Sequence, residues 1–122
     1  MINPNLILLY VEEMARSVSF YRDLLGREPA VQAPNFASFP LGGGFFLGLW
    51  GKAKVLPEAT GTGSQGEIGV MIAGEGAVDR QYDTWKAAGH QFIQELTTLD
   101  FGPTFVIVDP DGHRIRVCEP DK

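Results

Sequence analysis

The chain has 122 residues, 44% of them apolar and 20% charged, with a formal charge of -5. These are the proportions of one packed globular domain and unlike those of disordered or membrane chains. Its Lys and Arg residues are scattered, no apolar run approaches a membrane span, and "MINPNLILLYVEEM" lacks the features of a signal peptide; nucleic acid and membrane are therefore not expected as partners, and a cytoplasmic location is expected.

Cys118 stands alone, so no internal disulfide forms, in keeping with a reducing compartment. The first apolar run, "NLILLYVEE" (5–13), predicts a strand. It leads into "MARSVSFYRDLLG", where Met14, Val18, Tyr21 and Leu25 fall on one helical face and Gly26 ends the helix. Strand-like runs follow at 27–33, 36–41 and 45–50, the last two joined by "PLGGG" as a hairpin. The stretch "GKAKVLPEATGTGSQG" (51–66) reads as a linker, and a loop of that length is either mobile or functional.

The order then repeats. "GEIGVMIAG" (66–74) predicts a strand, and "EGAVDRQYDTWKAAG" a helix with Val78, Tyr82 and Trp85 as its apolar stripe and Gly89 as its stop. Strands are expected at 91–97, 103–108 and 114–119, with "DPDGH" as the hairpin turn. Each half is βαβββ, as modules 1–60 and 61–122 of a single domain 1–122. One helix covers only one face of each sheet, so the two units are expected side by side, their sheets curling into a trough that suits a small molecule.

Alternation directs Leu6, Leu8 and Tyr10 into the trough and Ile7, Leu9 and Val11 onto the helix. By the same rule Leu47 and Leu49 face the helix, while Phe46, Gly48 and Trp50, with Glu67, Gly69 and Met71 from the second half, line the trough. Gly48 and Gly69 either leave room for a ligand or mark close strand packing. Phe46 and Trp50 either stack on a planar ring or are core, and Met71 either adapts to a ligand or fills a gap. Ile115 and Val117 belong to the helix-covered face, which leaves Arg116 as a pocket group or a solvent-facing charge.

Other chemistries lack their residues. Cys118 has no neighbouring base except His113 across the turn, and "GGGFF" and "GTGSQG" lack the ending and following helix of a phosphate loop. Glu12 and Glu13 flank the start of the first helix and favour its dipole.

The motifs "SFYRDLLGREP" and "DPDGHRIRVCEP" resemble the signatures of the vicinal oxygen chelate superfamily, which includes glyoxalase I, extradiol dioxygenases, fosfomycin-modifying enzymes and metal-free bleomycin-resistance proteins. The likeness covers nearly the whole chain. "PNL", "YV", the second-half start "GEIG" and "DPDGHRIRVC" are most similar to phenazine-antibiotic resistance proteins, which bind griseoluteate-type antibiotics. The resemblance implies an α+β fold of two βαβββ modules forming a curved mixed sheet, and a homodimer with pockets near or across the subunit contact; in such a dimer 51–66 is a candidate to cover the partner's pocket.

Metal-dependent members take ligands from four inward-facing strand positions. Carried over, these fall at Leu6, near Gly48 with its neighbours Leu47 and Leu49, at Glu67 and at Arg116; of these only Glu67 is a donor. A cation ~5 Å from Arg116 at an effective dielectric of ~20 meets about 3 kcal/mol of repulsion per unit charge. His90 and His113 both follow turn signals and read as loop residues. No metal and no cofactor are therefore expected. Arg116 and Glu67 are expected to pair across the two halves, closing the pocket floor, and the guanidinium fork to orient a ligand carboxylate.

Three readings follow. The first is metal-independent sequestration of a planar aromatic small molecule such as a phenazine antibiotic. The second is a metal-dependent lyase or extradiol-type dioxygenase, which the resemblance in fold allows and the site residues oppose. The third is a metal-independent enzyme with Glu67 as base.

Overall fold

In the computed structural model, which describes residues 1–61, 63 and 65–121, the chain divides into two compact units, Met1–Thr62 and Gly63–Lys122. The first unit runs β1 (Leu6–Val11), α1 (Met14–Leu25), β2 (Val31–Ala33), β3 (Phe36–Gly42) and β4 (Phe45–Gly51). The second runs β5 (Glu67–Met71), α2 (Ala77–Ala87), β6 (Gln91–Leu99), β7 (Gly102–Val108) and β8 (Arg114–Cys118). The α+β class and the repeated βαβββ order are those expected. Hydrogen bonding groups the strands into two four-stranded sheets, ordered β1-β4-β3-β2 and β5-β8-β7-β6. In each, the first strand pairs parallel with the last and the remaining pairs are antiparallel.

The first unit's core is the contact of α1 with β3 and β4. Val18 and Tyr21 are buried on the helix, against Ala37, Phe39, Leu47 and Leu49 on the strands. Gly26 adopts the left-handed conformation at φ 63°, which a side chain would resist. The Arg27 amide reaches back to the Arg22 carbonyl at 3.3 Å, closing the helix end.

Two differences from the sequence reading have local causes. β2 is three residues long and not seven, because Arg27 is bonded to the helix end and Pro29 has no N–H to give a ladder. The expected linker begins as regular structure, with Gly51 closing β4, a short 3₁₀ helix over Lys52–Lys54, and Val55 3% exposed. Thr62 and Ser64 of that stretch lie outside the described residues.

In the second unit α2 packs on β7. Tyr82 and Trp85 meet Phe105 edge-on, with ring centroids 5.5 and 5.9 Å apart. Val78, Phe105, Ile107, Ile115 and Val117 complete this core. The β7–β8 turn is organised by buried Asp109, whose Oδ1 accepts from the amides of Asp111 and His113 at 2.9 and 2.8 Å. Its Oδ2 lies 2.6 Å from His113 Nδ1. This hydrogen bond is the main cause that raises the His113 pKa above the ordinary imidazole value, ahead of the opposing effect of burial. His113 is thus a structural member of the turn. Among the described residues no helix is long and apolar enough to cross a membrane.

Candidate functional site

β1 and β4 pair in parallel register, Leu6 with Phe46, Leu8 with Gly48 and Tyr10 with Trp50. The six expected ligand residues of the first unit are therefore three matched rungs. Leu47 and Leu49 are turned to the helix and are 3% and 0% exposed, whereas Leu6, Tyr10 and Phe46 are 48%, 41% and 37% exposed. The sheet so presents an apolar, aromatic surface on its helix-free face. Tyr10 and Trp50 meet edge-on at 6.4 Å and 82°.

Gly48 is itself covered. A Cβ at this position would lie 2.8 Å from Leu8 Cδ1, 3.3 Å from Leu6 Cδ1 and 3.5 Å from Phe36 Cε1. Of the two readings of Gly48, close packing holds: the glycine lets the two leucines and Phe36 settle over the strand. Ile7, expected on the helix, is 38% exposed. It belongs to an edge strand, and α1 rests on β3 and β4.

The second unit's helix-free face is polar at its centre. Arg116 sits on β8 between Gly69 of β5 and Val106 of β7. Its Nε and Nη2 donate to the two carboxylate oxygens of Glu67 at 2.7 and 3.1 Å. Its Nη1 donates to Gln94 Oε1 at 2.9 Å and to Thr104 Oγ1 at 3.2 Å. Thr104 is buried and donates in turn to the Val117 carbonyl at 2.7 Å. Phe101 lies under the guanidinium at 6.0 Å from ring centroid to Cζ. A two-pronged, charge-assisted pair tied into such a network is worth more than an isolated surface ion pair.

The expected pairing of Arg116 with Glu67 forms, but within one sheet of the second unit and not across the halves. Both residues lie on adjacent parallel strands, two rungs apart, within reach of long side chains. Beside them Gly69 is open, since a Cβ there would meet nothing within 4 Å, and Met71 is 59% exposed. Gln94, Thr104 and Phe101 were not anticipated. The signal available was a polar residue inside each of the apolar runs "FIQEL" and "PTFVIV".

The four positions at which metal-dependent relatives hold their ion do not fit one here. Leu6 and Gly48 offer no donor, Arg116 only donates, and both Glu67 oxygens accept from Arg116. Among the described residues no three His, Cys, Asp or Glu side chains converge as ligands would. A cleft of about 380 Å³ in the first unit, beside Glu12, Lys52, Val55 and Glu58, contains none of the ten expected ligand residues.

Two repeated βαβββ units with these motifs define a class, and the whole chain can be assigned to it. Residues 3–117 match the model of the Glyoxalase/Bleomycin resistance protein/Dioxygenase superfamily, and the chain belongs to this family. It is 40% identical to the phenazine antibiotic resistance protein EhpR of Enterobacter agglomerans, across 98% of this chain and 94% of that protein. A protein of Agrobacterium tumefaciens solved by NMR in solution is 38% identical, with a TM-score of 0.86 and 100% of both chains covered. A glyoxalase-related enzyme from Fulvimarina pelagi shares the fold at a TM-score of 0.81 and 22% identity, over 98% of this chain and 90% of that one.

Proposed function

We propose that the protein binds and sequesters a planar aromatic small molecule of phenazine type, without metal or turnover, and so confers antibiotic resistance on a cell that makes it. The observation that carries this reading is the set of matched rungs Leu6–Phe46, Leu8–Gly48 and Tyr10–Trp50. They leave aromatic surface exposed on a sheet whose other face buries Ala37, Phe39, Leu47 and Leu49. A flat ring stacked on an aromatic side chain gains about 0.5–1.5 kcal/mol beyond the burial of area. The likeness to a phenazine antibiotic resistance protein supports the same ligand class.

Each unit offers its own proposed contact surface: Leu6, Leu8, Tyr10, Phe46 and Trp50 in the first, with Gly48 shaping it from beneath, and Gly69, Met71 and the Glu67–Arg116 pair in the second. The engagement of both Glu67 oxygens by Arg116 supports a binding role over that of a free base. The protein acts as a cytoplasmic homodimer in this reading.

Titration of Trp50 fluorescence with phenazines tests it, in a Trp85→Phe background so that one indole reports. Saturable quenching with the compound recovered unchanged is the expected result. Absence of quenching by every planar compound, or chemical conversion of the bound compound, overturns it.

A further inference from the structure

Resting on that reading, we propose that Glu67 is an exchangeable internal anion. It holds the fork of Arg116 until the carboxylate of a planar aromatic ligand takes the fork over, and its own carboxylate then passes to Arg114 beside it.

The two members of this ion pair are held unequally. Arg116 lies on β8, a central strand, and its Nη1 is tied to Gln94 Oε1 at 2.9 Å and to Thr104 Oγ1 at 3.2 Å. Thr104 is buried and fixed in turn to the Val117 carbonyl. The guanidinium therefore stays aimed when its partner changes. Glu67 is the first residue of β5, an edge strand, and among the described residues its carboxylate is held by Arg116 alone, at 2.7 and 3.1 Å. Its side chain is 32% exposed, against 21% for Arg116. Rotation about its side-chain bonds carries the carboxylate off the fork with no change in the backbone.

The Nε/Nη2 edge is one on which an arginine receives a carboxylate through two parallel donors. Glu67 occupies it in that way, and an incoming carboxylate makes the same two bonds. Exchange so keeps the guanidinium paired, where a half-buried cation left without a partner is destabilising. The released carboxylate also has a seat. Arg114 is the register partner of Glu67 on β8, two residues from Arg116 and so on the same face, and it makes no ion pair among the described residues.

The ring has its place as well. Gly69 is the register partner of Arg116, and a Cβ there would meet nothing within 4 Å, so a flat group attached to the carboxylate lies against the strand without a clash. Met71, next on that face, is exposed and adapts its shape to such a group. A neutral amide lacks the charge to dislodge Glu67 and binds by its ring contacts alone. Glu67 thereby competes with every carboxylate it admits, and lowers the apparent affinity in proportion to the time it spends on the fork.

The probes are 2-naphthoate and 2-naphthamide, matched in shape and differing in charge, titrated into the full chain and its Glu67→Gln variant. In the native protein 2-naphthoate should move the Arg116 Nε–H resonance and the Glu67 carboxyl carbon together, and 2-naphthamide should move neither. By calorimetry Glu67→Gln should bind 2-naphthoate about tenfold more tightly, with 2-naphthamide changed by less than about twofold. Either native resonance unmoved by 2-naphthoate, or a variant that binds 2-naphthoate no more tightly than the native protein, overturns the proposal. So does an equal gain for both probes. Should Glu67→Gln not fold, the two native resonances decide. Failure of the sequestration reading is separate: Trp50 is then quenched by no phenazine, whichever way the Arg116 signal moves.

Discussion

Gly48 lies directly beneath Leu8, so close that a single added carbon would stand 2.8 Å from Leu8 Cδ1. The glycine is the foundation on which the apolar surface rests. Gly69, on the first strand of the second sheet, has nothing within 4 Å of where a Cβ would stand. The two glycines therefore predict opposite results. Gly48→Val should destabilise by about 1–3 kcal/mol through overpacking. Gly69→Ala should stay within about 0.5 kcal/mol of the parent. Urea midpoints at constant slope measure both.

Thr104 predicts a buried loss. Its hydroxyl donates to the Val117 carbonyl and accepts from Arg116. Thr104→Val keeps the shape and leaves both partners short of a bond, at a cost of about 1–3 kcal/mol.

His113 predicts a pH dependence with a definite sign. Its pKa in the folded chain is raised by Asp109, so between the unfolded value near 6.5 and the raised value the folded state holds more protons than the unfolded one. Stability from this pair is fully present below about pH 6.5 and is lost as pH rises through the folded pKa. Denaturation of the native chain and His113→Gln between pH 5 and 9 should show a gap that closes toward the alkaline end. An NMR titration of His113 should place its pKa above 6.5.

Trp50 predicts a loss confined to binding. Trp50→Ala should weaken a phenazine by about tenfold or more, as one stack and its buried area vanish. Trp85→Phe should leave affinity intact and cost stability instead, because Trp85 packs on Phe105 in the core beneath α2.

Divalent metal predicts no effect. A site filled to 100 times its Kd would stabilise the fold by about 2.7 kcal/mol. Zinc, nickel, iron(II) or manganese should give no such rise in melting temperature, because the superfamily's ligand positions carry Leu6, Gly48, a paired Glu67 and Arg116.

What the sequence disclosed is the part of the fold written locally. Helical spacing from Met14 to Leu25 and the glycine after it located α1 to the residue, since Gly26 at φ 63° is a local conformational demand. Alternation in "FFLGLW" sorted Leu47 and Leu49 from Phe46, because β4 is a central strand with one packed face. Ile7 escaped the same rule, for an edge strand need not be covered by its helix. The partners of Arg116 also escaped it. Gln94 is 22 residues away, and it reaches the site through a strand whose register slips between Phe92 and Gln94, a step no alternating pattern marks. Asp109 and His113 were visible as a turn, but the burial that couples their charges was not.

One βαβββ plan, used twice, has been dressed in two ways: hydrocarbon and rings on the first sheet, a guanidinium with its amide, hydroxyl and carboxylate company on the second. Since the two surfaces come from separate stretches of the gene, natural variation can reshape the greasy platform while leaving the polar cluster alone, or edit the cluster while sparing the platform. The composition of each surface is then an independently evolvable trait.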